Sequence, residues 1–207
     1  MFKKAWWRFY KPANRTSADG KEYKAPRPKG CWDGPAVPQP ASFDRIVLSV
    51  DCTFKDTDGT DFVVLQVWGC VKADRYLLDQ SRARRDFGAT VKEFIRIAKK
   101  WPDAKRKYVE DKANGPAVIS ALKRKIAGII PVEPYGTKTA RAAATAPEVE
   151  SGNVFLPDGA PWLDDYITEH AQFPNARHDD QVDATSQALN ELAGRSGASR
   201  ARGMANM

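Results

Sequence analysis

Residues 44–71 read DRIVLSVDCTFKDTDGTDFVVLQVWGCV, two apolar runs separated by a turn-rich piece. The first run, ending at Asp51, has the continuous Ile, Val and Leu content of a buried strand. KDTDGTD carries Asp-Gly turn chemistry and predicts a hairpin into the second strand, FVVLQVWGCV. A third strand follows around RYLLDQSR, so the ordered part of the chain opens with an antiparallel meander. DFGATVKEFIRIAKKW then sets Phe87, Val91, Phe94, Ile95 and Ala98 at helical spacing.

Downstream, elements alternate. RKYVED reads as a short strand, and PAVISALKRKIA as a helix with Pro116 near its first turn. IIPVEP is a further short strand. KTARAAATAPEVESG predicts a helix closed by Gly152, with VFLP after it, and PWLDDYITEHAQF and DDQVDATSQALNELAG are the last two helices. An initial meander followed by alternating strands and helices predicts an α/β fold with a mixed central β-sheet flanked by helices.

Residues 1–42 differ in composition. They combine Trp6, Trp7, Phe9 and Tyr10 with Pro26, Pro28, Pro35, Pro38 and Pro40, which is expected of an arm or linker. The WWRFY cluster suits stacking on bases or, preferably, anchoring onto this or a neighbouring domain. The expected division is an arm over 1–42, one domain over 43–194, and a flexible basic tail over 195–207.

The bulk composition narrows the function. With 207 residues and 42% hydrophobic content the chain can bury one core. A net charge of +7 favours an anionic partner, nucleic acid above all. Cys31, Cys52 and Cys70 form no CxxC pair, and His170 and His178 lie far from them, which argues against a zinc site or a disulfide framework. No apolar stretch is long enough for a membrane helix, and MFKKAWWRFY lacks the apolar core of a signal peptide, so a cytoplasmic location is expected.

The chemistry is carried by acids at the ends of apolar elements. Asp51 closes the first strand, Glu110 and Asp111 close the fourth, and Asp179, Asp180 and Asp183 open the last helix. Strand carboxyl ends are where functional groups gather in α/β sheets, and the i, i+3 spacing puts Asp180 and Asp183 on one helix face. Converging carboxylates repel unless cations neutralise them, and hard divalent ions such as Mg²⁺ or Mn²⁺ prefer such oxygen ligands. Each acid alone reads as a turn former or a helix cap. Their joint order points to a site.

IVLSVDCTFKDTDGTDFVVLQVWG, YVEDKANGPAVISALK, TKTARAAATAPEVESGNVFLP and RHDDQVDATSQAL together resemble the C-terminal nuclease domain of the large terminase subunit of tailed bacteriophages, from about Phe43 to Leu192. The resemblance implies a ribonuclease H-like fold that cuts concatemeric double-stranded DNA during genome packaging with two metal ions, Mg²⁺ or Mn²⁺, on three acidic positions. It carries the first to Asp51 and the second to Glu110, with Asp111 as the competing neighbour, since strand alternation lets only one face the site. The third falls on Asp180, with Asp183 sharing or supporting metal and Asp179 capping the helix. His178 could bond a carboxylate or phosphate or simply order its loop, and Asp61 is expected to fix the hairpin. Lys138 and Arg141 match basic positions suited to phosphate contact, Lys112 and Lys123 less so.

The resemblance also implies a packaging ATPase domain, the small terminase subunit and the portal as partners. No GxxxxGK[ST] phosphate loop is present, GTKT at 136–139 lacking the upstream glycine, so ATP hydrolysis by this chain alone is not expected. Alternatives with the same site are a Holliday-junction resolvase and an RNA–DNA hybrid nuclease. A non-catalytic DNA-binding or portal-docking module would use the acids only as caps and turns.

Overall fold

The computed structural model describes residues 1–13, 22–52 and 62–195. The expected hairpin turn and Asp61 lie outside them, as does the basic tail beyond Arg195. The strands are β1 (Arg8–Lys11), β2 (Val37–Pro38), β3 (Arg45–Asp51), β4 (Val63–Val71), β5 (Asp74–Ala83), β6 (Ala104–Glu110), β7 (Ile129–Val132) and β8 (Val154–Pro157). The helices are α1 (Phe87–Lys100), α2 (Gly115–Leu122), α3 (Lys138–Glu150), α4 (Leu163–Gln172) and α5 (Asp180–Leu192). One sheet takes all the strands in the order β2-β1-β8-β5-β4-β3-β6-β7. β3, β4 and β5 form the antiparallel meander, and β6, β7 and β8 join in parallel.

Alternation along each strand divides the core. Leu48, Val50, Leu65, Val67, Leu78 and Val109 pack with Phe94 and Ile97 of α1 and Val118 and Leu122 of α2. Val47, Trp68, Leu77 and Tyr108 face the other way, toward Val149 of α3, Tyr166 and Ile167 of α4, and Val182, Leu189 and Leu192 of α5. The period of two sends neighbouring side chains to opposite layers, so the sheet is covered on both faces.

The N-terminal aromatic run belongs to this core. β1 pairs with β8 in parallel, and Trp7, Phe9 and Tyr10 are fully buried. Trp7 packs edge-on against Tyr166 and His170, and the Tyr10 hydroxyl donates to the Leu77 carbonyl. Those rings anchor their own domain and are inaccessible to bases. α2 is shorter than its sequence pattern suggests, ending at Leu122. α3 tolerates Pro147 in its interior and ends where Gly152, at φ +80°, takes the left-handed conformation that closes a helix.

His170 sits in this aromatic layer with its Nδ1 2.7 Å from the Tyr166 carbonyl, which only a protonated Nδ1 can satisfy. Burial pushes its pKa down to about 3. The unfolded chain takes up that proton near pH 6.5 and the folded chain does not. The stabilisation is therefore complete above pH 6.5 and is lost as pH falls toward 3, at about 1.4 kcal/mol per pH unit. Wild type should lose denaturant stability between pH 6 and 4 more steeply than His170→Phe; parallel pH slopes for the two would overturn this assignment.

Candidate active site

Three segments meet at one rim of the sheet. β3 and β6 are adjacent and parallel, with Ser49 opposite Tyr108 and Val50 opposite Val109, so Asp51 and Glu110 come next in register at neighbouring strand ends. Both share the face of Ser49 and Tyr108, the side covered by α5. Ser49 donates to the Ala184 carbonyl at 2.8 Å, and the Gln187 amide reaches Ser49 Oγ at 2.8 Å and the Tyr108 carbonyl at 3.3 Å. These bonds lay α5 across β3 and β6 and bring its acidic first turn to the strand ends.

Strand alternation turns Asp111, the residue after β6, from that face. It is exposed, and its backbone N–H bonds the Val132 carbonyl at 2.8 Å. The glycine in VEDKANG has a steric origin: a Cβ on Gly115 would stand 1.7 Å from the Glu110 carbonyl oxygen. The chain after Glu110 must therefore turn back tightly into α2. Gly115→Ala should cost about 2–3 kcal/mol in a urea melt, through displacement of this backbone. A loss below about 0.5 kcal/mol would mean that the turn is free to relax.

On α5, Asp180 and Asp183 lean to different neighbours. Asp183, nearly inaccessible, lies 2.6 Å from Lys138 Nζ and 3.1 Å from Arg141 Nη2, and Arg141 also reaches Glu110 at 3.9 Å. Burial raises the pKa of Glu110, with Arg141 opposing the shift, and burial likewise raises that of Asp183, with Lys138 opposing. Asp180 faces Glu169 and Arg82, with His178 Nδ1 4.0 Å away. Burial, then the charge of Glu169, raises its pKa to about 6. His178 also packs edge-on against Phe62.

Asp179 occupies the N-cap position of α5 but makes no capping hydrogen bond with its side chain; it pairs instead with Lys138 at 2.8 Å. The cap comes from α4. Glu169 accepts from the Gln181 backbone N–H at 2.7 Å, from Val182 N–H at 3.3 Å and from the Gln181 amide at 2.7 Å. A carboxylate at a helix N-terminus answers both its free donors and its dipole. Composition hides this role, since Glu169 reads as one more polar residue of an amphipathic helix.

A buried polar chain continues from there. The Gln80 amide donates to Gln181 Oε1 at 2.8 Å, Gln66 donates to Gln80 Oε1 at 2.9 Å, and Trp68 Nε1 donates to Gln66 Oε1 at 3.0 Å. The signal in the sequence is Gln66, a lone amide inside FVVLQVWGCV.

Lys138 and Arg141, expected as phosphate contacts, are engaged with the acids, held on the first turn of α3 that Thr137 caps. Lys112 is exposed close to Glu110, and Lys123 is exposed at the end of α2. Among the described residues no three His, Cys, Asp or Glu side chains are gathered closely enough to cage an ion. The expected convergence of carboxylates is thus an interleaving of acids with two basic side chains, as like charges in a partly buried place require. The donor set is nevertheless all oxygen and matches hard divalent ions.

Residues 48–192 match the terminase RNaseH-like domain. The match spans more than half of the chain, and the protein belongs to that family. Its fold is shared with the large terminase nuclease of thermophilic phage G20c. The cobalt-bound form gives a TM-score of 0.60 at 14% identity, covering 91% of this chain and 94% of that one, and the magnesium-bound form 0.56 at 14%, covering 89% and 93%. The large terminase of another thermophilic bacteriophage gives 0.58 at 11% identity. This chain is covered over 75% of its length there and spans 41% of that longer protein. No curated protein sequence matches the chain. No helix among the described residues is long and apolar enough to cross a membrane.

Proposed function

We propose that the protein is a metal-dependent endonuclease that hydrolyses double-stranded DNA, and that its task is the cutting of concatemeric DNA in phage genome packaging. One observation carries the reading: Asp51 and Glu110 end neighbouring parallel strands on the face that α5 covers, and the first turn of α5 bears Asp180 and Asp183. Membership of the terminase RNaseH-like family supports it, as do the cobalt- and magnesium-bound forms of the G20c nuclease.

Asp51, Glu110, Asp180 and Asp183 would hold the metal, Mg²⁺ or Mn²⁺, with Asp111 turned away. Two such ions would supply Lewis acidity to the attacking water oxygen and the leaving oxygen. Hydrolysis adds water across one P–O bond: the water oxygen joins phosphorus as the bond to the leaving strand breaks, a site carboxylate takes the proton that water gives up, and that proton returns to the departing oxygen, which leaves as an alcohol. Lys138 and Arg141 reach non-bridging phosphate oxygens, which makes affinity sequence-independent and sensitive to salt. A packaging ATPase domain, the small terminase subunit, the portal and the cytoplasm of an infected cell complete this reading; the longer large terminase, of which this chain spans less than half and which is also solved in complex with ADP, supports the first.

Supercoiled plasmid, RNA–DNA hybrid and four-way junction substrates with Mg²⁺, Mn²⁺ or EDTA test the proposal. Nicking and linearisation of plasmid with either ion, abolished by EDTA, is the expected result. Cleavage that survives chelation would sink the metal mechanism. Preference for the hybrid or the junction would move the enzyme to another substrate class, and DNA binding without cleavage would make it a binding module.

A further inference from the structure

Lys138 sits in an unusual position for a residue that should meet DNA. Its ammonium lies 2.6 Å from Asp183 and 2.8 Å from Asp179, while Arg141 bridges Asp183 and Glu110. Burial disfavours the Lys138 charge, but hydrogen bonds to Asp179 and Asp183 outweigh it and raise its pKa. The two basic residues differ in freedom. The Arg141 guanidinium is partly buried and also bonds the Gly136 carbonyl at 3.4 Å, and the Asn190 amide holds the Arg141 backbone at 3.1 Å. The Lys138 side chain is half exposed on a flexible four-carbon stem, so it can swing away while α3 stays in place.

We infer that Lys138 is a displaceable counter-cation of the acidic site: it holds Asp183 and Asp179 before a divalent ion arrives, yields Asp183 to that ion, and then turns to a DNA phosphate. The inference rests on the metal-centre reading above. A ligand that must first displace an internal contact binds more weakly by the fraction of molecules already free of that contact. A phosphate that draws Lys138 off the acids assists the ion, and by reciprocity the ion assists DNA binding. Metal loading, and with it cutting, is then favoured when DNA lies in the site. Lys138 is a positioning residue toward the metal and a direct contact toward DNA.

Calorimetry of Mn²⁺ binding to the full chain, with and without a nuclease-resistant DNA duplex, separates the possibilities. Lys138→Met should bind Mn²⁺ about tenfold more tightly than wild type without duplex, taking the paired form as about ten times the free one. The same variant should bind duplex more weakly, with a salt dependence shallower by about one ion, and should lose the mutual enhancement of Mn²⁺ and duplex. Lys138→Arg, which keeps the charge, should retain that enhancement. Equal Mn²⁺ affinity in wild type and Lys138→Met overturns the inference; if Asp51→Asn still weakens Mn²⁺ binding in both backgrounds, the metal-centre reading stands. Absence of Mn²⁺ binding in every variant overturns both.

Discussion

Asp51→Asn should fold as wild type does and lose metal-dependent plasmid cleavage by about 10³-fold or more, equivalent to at least ~4 kcal/mol of barrier. The residue is 5% exposed at the end of β3, on the face that α5 covers, next in register to Glu110. Asparagine keeps its shape and removes its charge, so the loss reports on chemistry. Alternation along β6 gives an internal control: Glu110→Gln should be impaired to a similar degree, and Asp111→Asn should cleave within a few-fold of wild type. Thermal melts should place all three variants close to the parent. Full cleavage by Asp51→Asn would remove the acidic site from the mechanism. A severe loss in Asp111→Asn with Glu110→Gln spared would exchange the roles of those neighbours.

The second large effect is expected on stability. Glu169→Ala should cost about 3–5 kcal/mol in denaturant unfolding. The carboxylate is 6% exposed, caps α5 through Gln181 and Val182, and lies 3.2 Å from Arg82. Its removal strands a half-buried guanidinium and the donors at the start of α5. Glu169→Gln keeps an acceptor for those donors and should recover part of the loss. Since Asp180 and Asp183 ride on that helix turn, cleavage should weaken as well, even where the variant remains folded. A destabilisation under about 1 kcal/mol would show that α5 is held by packing alone.

Much of this arrangement is legible in the sequence because the informative patterns are local. Apolar runs and turn chemistry mark β3, β4 and β5, and helical spacing marks α1. Asp51, Glu110 and the HDDQVDA acids stand out because each ends or opens an apolar element. The glycine of VEDKANG is visible too, although its reason, the close approach to the Glu110 carbonyl, is evident only in three dimensions.

What the sequence hides is non-local. Proline-rich composition disguises β1, whose identity comes from pairing with β8 far along the chain. Asp179 carries a capping signal, but Lys138 claims its carboxylate and Glu169 supplies the cap. The pairing of Lys138 and Arg141 with acids of α5 and β6 likewise depends on α3 and α5 lying side by side, which no spacing rule encodes.

The docking of β1 on β8 bears on how the domain can be dissected. The family match begins at Leu48, well inside the chain, and a fragment cut there would look complete by sequence similarity. It would lack the strand that covers β8, with the buried rings of Trp7 and Phe9 on one face of the sheet and Tyr10 on the other. An uncovered strand edge beside a vacated aromatic pocket invites self-association. The segment that resembles a tether by composition is therefore a wall of the building, and the boundary of the folding unit lies outside the boundary of the recognisable family.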